Sequence, residues 1–191
     1  NLRVAIKKFQ RNYHDFGLLV SLGKSLQIIL QPLWRWTTYR IYRIDLAAVP
    51  TSPPGNSRFD LRLITSKDSA MVSQIEDMEE WLEGSVGAMI DSGGLCLVAL
   101  DGPTVAGFNI VTLHEGCLKS VSYTKKLHPH QAWSQQITVN RKYRRQGLGE
   151  TLRYRVFDEL SKRDVRKLYG GTHIDNIANL VPAQLLFLAA E

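Results

Sequence analysis

Apolar positions change their spacing along this chain, and each change predicts an element. Leu2, Ile6, Phe9, Tyr13, Phe16 and Val20 recur at alternating intervals of four and three, with Lys7, Lys8, Arg11 and Asp15 elsewhere on the wheel. That period predicts an amphipathic helix over residues 2–21. From 25 to 46 the pattern is poorer. Leu26, Ile28, Ile29 and Leu30 allow a helical turn or two before Pro32, and residues 34–44 favour strand without clean alternation. Pro50, Pro53, Pro54 and Gly55 then break the apolar pattern, so residues 50–57 read as a linker between an arm, 1–49, and a domain, 58–191.

Within the domain, residues 59–65 alternate like a half-buried strand and residues 66–69 supply a helix start. Met71, Ile75, Met78 and Leu82 form a helical stripe broken near Gly84 and Gly87, which predicts one helix and a second short one. Residues 94–100 and 105–113 are strand-like runs joined through Asp101 and Gly102, the clearest hairpin signal in the chain. Residues 115–131 read as a loop or an irregular strand. A strand over 133–139 leads to a turn, and Leu148, Leu152, Val156 and Leu160 mark a helix. Residues 167–170 are a further strand, followed by a last helix start at Asn176 or Asn179. Pro182 is tolerated in a first helical turn but not deeper, which favours Asn179 as the cap. The order is strand, two helices, hairpin, strand, helix, strand, helix, an α/β (α+β) pattern.

Composition narrows the class and charge adds a position. The 191 residues, 44% hydrophobic and 22% charged, suit one well-filled globular domain with an appendage and not a disordered chain. Residues 1–50 carry Arg3, Lys7, Lys8, Arg11, Lys24, Arg35, Arg40 and Arg43 against Asp15 and Asp45. The net charge of +6 therefore resides there, and the rest of the chain is balanced. Trp34, Trp36, Tyr39 and Tyr42 interleave with Arg35, Arg40 and Arg43, a mixture that suits an anionic membrane surface or a nucleic acid. An arm packed on its own domain or on a partner is the plainer reading, and nucleic acid is the least favoured. The apolar run 26–33, with its Pro32, is too short to span a bilayer. Cys96 and Cys117 are too few for a metal cluster, and no signal peptide is in view, so a reduced, cytoplasmic setting is expected. The chain opens on Asn1, which leaves an upstream segment open. His128 and His130 have the spacing of two metal ligands but lack a third nearby, so they read as loop residues and no metal is expected.

The chemistry begins at residues 137–149. A short strand ending at Val139 runs into a basic turn with Arg144, Arg145, Gly147 and Gly149, and a helix opens from about Gly149. Glycines let the backbone approach an anion, free N–H groups of the first helical turn point at it, and the arginines add charge. The dinucleotide fingerprint needs a third glycine and a later acidic residue, and the P-loop needs Lys-Ser/Thr; neither is here.

With Val139 closing the strand, Tyr143 before Arg144, and Gln146, Gly147, Leu148 and Gly149 in sequence, this turn resembles the acyl-CoA signature of the GNAT superfamily of N-acyltransferases. The element order from 57 to 190 matches as well. The resemblance implies a mixed, mostly antiparallel sheet with a splayed parallel pair, flanked by helices. It implies acetyl-CoA or another acyl-CoA as co-substrate, held by Ile137, Thr138, Val139, Arg144, Arg145, Gln146, Gly147, Leu148, Gly149, Glu150 and Asn176. Ile137 and Val139 would bond the pantetheine through their main chain, and a backbone N–H there would polarise the thioester carbonyl.

The implied reaction is transfer of an acetyl or small acyl group to a primary amine, on a small molecule or a peptide, by direct attack. Family members often place a Glu on the fourth strand as base and a Tyr on the fourth helix as acid, and neither stands here. Gln136, Ser134, Glu115 and His173 are the remaining candidates. Glu76, Asp77, Glu79, Glu80 and Glu83 crowd the first helices, as a solvated face or as an attractant for a cationic amine. The missing Glu and Tyr keep a non-catalytic acyl-CoA-binding or scaffold module open, and the arm keeps an adaptor open. The family usually adds two strands after the fourth helix. Here the chain ends first: either those strands lie outside this sequence, or the arm or a neighbouring subunit, in a homodimer, covers the sheet edge. Peripheral contact with the inner face of a membrane would run through residues 1–46.

Overall fold

The structure is a computed structural model that describes residues 39–49, 58–82, 84–173 and 176. The expected helix over 2–21, the linker 50–57, and the caps and proline at 179–182 lie outside the described residues. The sheet lies within the unit that starts at Tyr39.

That sheet has six strands. Strand β1 is Tyr39–Asp45, β2 Asp60–Ile64, β3 Leu95–Asp101, β4 Thr104–Thr112, β7 Gln131–Val139 and β8 Lys167–His173. Their order is β1-β8-β7-β4-β3-β2, antiparallel throughout except for the parallel pair β7 and β8. On one face lie helices α1, Ser69–Met78, and α2, Val86–Asp91, with Ile75, Leu82 and Val86 buried among Val98, Phe108 and Ile110. On the other lies α3, Leu148–Ser161, whose stripe of Leu148, Leu152, Val156 and Leu160 is buried among Leu97, Ala99, Ala106 and Val111. Each such side chain contributes about 1.5–3 kcal/mol of burial. Sheet faces and helix stripe thus agree on one mixed α/β architecture.

Two sequence expectations change. Residues 115–131, read as a loop or an irregular strand, hold two short strands: β5, Glu115–Leu118, and β6, Tyr123–Lys126, pair as a separate hairpin. It lies on the α1 face, with Gly116 directly against the Trp133 ring and Leu118 against Gly171. The second change concerns the arm. Tyr39–Asp45, grouped in the sequence with residues 1–49, pairs with β8 along its whole length, from Tyr39 opposite His173 to Asp45 opposite Lys167. Ile44 is buried and Tyr42 half-buried on the α3 face, while Arg40, Ile41 and Arg43 are exposed, the uneven pattern of an edge strand. The edge that the sequence left open is therefore covered by this chain's own earlier residues.

Candidate active site

The site begins where β7 and β8 part. They pair from Gln131 with Lys167 to Ser134 with Gly170, and no further. Beyond that point β8 stays with β1, and β7 follows β4. The divergence has a local cause: Ile110 faces Gln136 and Val111 faces Ser134, so Gln135 is an extra residue, and such a bulge bends its strand.

Asn140 N–H donates to Ala106 C=O at 2.9 Å, which sets the phase of the ladder beyond the bulge. By alternation Gln136 and Thr138 commit their main-chain groups to β4, and Ile137 and Val139 direct theirs into the gap left by β8. Val139 C=O is the exception, because Arg144 Nε donates to it at 3.2 Å.

The turn after β7 is tied down on its inner side. Asn140 Oδ1 accepts from Lys142 N–H at 3.2 Å, and Tyr143 is buried, edge-on to Phe59. Arg58 Nη1 donates to Gln146 Oε1 at 3.1 Å, so Gln146 serves the turn itself. Arg145 and Gly147 both adopt left-handed φ, 60° and 74°, and a Cβ at Gly147 would meet nothing within 4 Å. Glycine is therefore favoured at 147 for its backbone angle and not for space. The first intrahelical bond recorded here runs from Thr151 N–H to Gly147 C=O, 3.0 Å. The N–H groups of Leu148, Gly149 and Glu150 precede it, at the positive end of a helix of 14 residues with Arg144 and Arg145 exposed beside them. Asn176 is exposed three residues beyond β8, its N–H bonded to His173 C=O.

On the α3 face a small cavity sits at the fork, lined by Tyr42, Asn109, Ser134, Ile137, Arg153 and Phe157 among others. Tyr42 lies directly over Gly170, where a Cβ would collide with its ring, and hydrogen-bonds Ser134 across it. Packing pushes the phenol above its ordinary pKa of 10, with the Arg153 charge and the Ser134 bond opposing. Packing likewise lowers the Arg153 guanidinium below its ordinary pKa, opposed by Tyr42 and Glu150. Asn109 is 3% exposed and its Oδ1 has no hydrogen-bond partner among the described residues. A buried acceptor left unpaired costs about 1–3 kcal/mol.

The opposite face carries a different constellation. Gln136 Nε2 donates to Thr138 Oγ1 at 2.9 Å, and Thr138 Oγ1 donates to Glu79 Oε1 at 2.9 Å. Gln135 points at the hairpin, donating to Cys117 C=O at 3.3 Å. Across the gap His173 packs edge-on against Tyr39, whose hydroxyl accepts from Ser120 Oγ at 2.7 Å. Lys119, in the hairpin's tip, lies 6.0 Å from the Trp81 ring centroid, so hairpin and α1 region meet above the fork.

Of the four acid-base candidates, Ser134, Gln136 and His173 flank the fork. Glu115 does not: Gly116 already sits on Trp133 and Cys117 meets Gln135, which places Glu115 on the side away from it, exposed and opposite Lys126. Its sequence position at the end of β4 was misleading because the chain reverses there. His130 pairs with Asp164 at 3.0 Å, and no metal-holding group occurs among the described residues. Sequence reasoning missed Tyr42, because it was assigned to the arm, and Arg153. Asn109 left a visible signal, one amide inside an apolar strand. Nor did it see that Glu79, of its acidic set, reaches β7.

Residues 59–180 match the family model described as Acetyltransferase (GNAT) family. No curated protein sequence matches the chain. Among solved structures, a GCN5-related N-acetyltransferase from Sphaerobacter thermophilus is 16% identical with a TM-score of 0.53, over 81% of this chain and 49% of that one. This chain thus spans about half of that protein. The ribosomal-protein-S18-alanine N-acetyltransferase of Escherichia coli is 21% identical, TM-score 0.53, over 67% and 76%. An aminoglycoside acetyltransferase from an uncultured soil metagenomic sample, in complex with sisomicin, is 14% identical, TM-score 0.54, over 71% and 91%. At these identities the structures speak for the fold, whereas the family match covers well over half of the chain: it belongs to the GNAT acetyltransferase family.

Proposed function

We propose that the fork between β7 and β8 holds the acyl-pantetheine arm of acyl-CoA, that the turn 144–150 holds its pyrophosphate, and that the acyl group passes to a primary amine. The observation that carries this reading is the fork itself. Main-chain groups of Ile137 and the N–H of Val139 face a gap in which no strand among the described residues bonds them, next to a helix start whose N–H groups and arginines suit a diphosphate. The unpaired Oδ1 of Asn109 beside the same gap is a further sign that a polar ligand belongs there. Bound acyl-CoA supplies an activated acyl group on a thiol leaving group. The chain holds it, keeps water from the buried side of the fork, and presents the amine from the α1 face.

Calorimetry with CoA and acetyl-CoA tests the binding half, and thiol release followed by a colour reagent tests the transfer half. An alanine-starting peptide and sisomicin are the first acceptors to try. CoA binding lost or weakened about tenfold or more in Arg144→Ala is expected, one charge-assisted phosphate contact being worth about 1.5–3 kcal/mol. Binding of CoA without thiol release for any acceptor would instead favour a non-catalytic module. Contact of the arm with an anionic membrane surface, and a homodimer, belong to the same proposal. Salt-sensitive vesicle binding and sedimentation test them.

A further inference from the structure

We infer that Glu79 accepts the proton of the attacking nucleophile, through the hydroxyl of Thr138. The inference rests on the acyl-transfer reading above and assigns a role that no strand residue can fill. At the fork β7 presents Gln136 and Thr138 to the α1 face, and an amide and a hydroxyl cannot hold a proton at neutral pH. A carboxylate reaches them from outside the strand: Gln136 Nε2 to Thr138 Oγ1, then Thr138 Oγ1 to Glu79 Oε1, 2.9 Å each. The hydroxyl has one proton, which goes to the carboxylate, so its lone pairs must receive. One takes the Gln136 N–H, and the second is left for the nucleophile. As the nucleophile's nitrogen or oxygen bonds the acyl carbon, its proton moves to Thr138 Oγ1 while the hydroxyl proton moves to Glu79, and the acyl–sulfur bond breaks with its electron pair on sulfur.

Glu79 is the residue at which α1 ends, and its carboxylate meets β7 at Thr138. Glu76, by contrast, has a structural duty, accepting Val86 N–H at 3.2 Å to start α2. The main chain of Glu79 is fixed on both sides, its N–H bonded to Ile75 C=O and its C=O to Leu82 N–H, so the carboxylate is held toward the fork by a rigid junction.

The test needs no identified acceptor, because water can act as the nucleophile on acetyl-CoA. Glu79→Gln and Thr138→Val should each lower thiol release from acetyl-CoA by about a hundredfold or more through kcat, with the CoA affinity of Glu79→Gln unchanged. Thr138→Ser, which keeps the hydroxyl, should remain near wild type. Moving the carboxylate onto the strand, Gln136→Glu in the Glu79→Gln background, should return a measurable part of the rate. In the ligand-free protein, Thr138→Val but not Thr138→Ser should displace the carboxyl carbon-13 resonance of Glu79. Unchanged kcat in Glu79→Gln, or a wild type that binds acetyl-CoA and releases no thiol, overturns the inference and leaves acyl-CoA binding standing. A wild type that binds no CoA removes both.

Discussion

At the residue scale the protein carries groups whose protonation is fixed by burial, and their signs can be worked out. Cys96 is fully buried on β3, and burial pushes its thiol from 9.0 to about 12. Below pH 9 the thiol is protonated in both folded and unfolded chains and costs nothing. Between 9 and about 12 the unfolded chain releases its proton and the folded chain keeps it, so stability falls as pH rises, by about 1.4 kcal/mol per pH unit. Tyr42, also raised, acts in the same direction above 10. Cys96→Ala should lower stability at pH 8 by about 1–2 kcal/mol, since it leaves a small cavity, yet lose stability more shallowly between pH 9 and 11. Urea unfolding at fixed pH values measures it; parallel profiles for the two proteins would contradict the argument.

Asn109 makes the complementary case. Its Oδ1 is unpaired in the free protein, so Asn109→Leu should not destabilise the fold, and should weaken CoA binding if the amide serves the ligand. Thermal melting and calorimetry on the same sample separate the two effects.

The element scale is where the sequence was most and least legible. The β3–β4 hairpin was plain because Asp101 and Gly102 separate two apolar runs, and α3 because its stripe repeats for four turns. The β5–β6 hairpin was hidden. Its strands are four residues each, and its reversal uses Ser122 at φ 51° where a glycine or asparagine would have announced it. The bulge at Gln135 was equally hidden, since an extra residue leaves the composition of a strand unchanged while turning every later side chain to the other face. That is why Gln136 and Thr138, and not Ser134, share a face with Glu79.

The start of α3 yields its own prediction. Gly147 needs its left-handed angle, but Gly149 does not: a Cβ there would touch only Val139 Cγ2, at 3.6 Å, an ordinary contact. Gly149→Ala should therefore stabilise the protein by up to about 1 kcal/mol, whereas Gly147→Ala should cost about 1–2 kcal/mol. If Gly149→Ala stabilises the fold and yet impairs CoA binding, the glycine is there for the ligand. Denaturant midpoints with and without CoA decide it.

At the scale of the whole molecule, the family match begins at residue 59, yet the sheet begins at Tyr39. The strand that borders β8 is thus supplied from ahead of the matched region, and it brings Tyr42 to the fork. Pattern reading could not see this because an edge strand with exposed Arg40, Ile41 and Arg43 looks like the basic stretch before it. The consequence is that two truncations only twenty residues apart should behave differently. Removing residues 1–38 takes away Arg3, Lys7, Lys8, Arg11, Lys24 and Arg35, most of the basic excess, and leaves the unit 39–191 whole. Its melting temperature and CoA affinity should stay near those of the full chain, while any salt-sensitive adhesion to anionic vesicles should disappear. Removing residues 1–58 strips β1 from β8, exposes a long row of unpaired N–H and C=O groups, and takes Tyr42 from the cavity at the fork. That shorter protein should melt markedly lower, self-associate in sedimentation, and lose CoA binding, so equal behaviour of the two truncations would show that β1 is not part of the working domain.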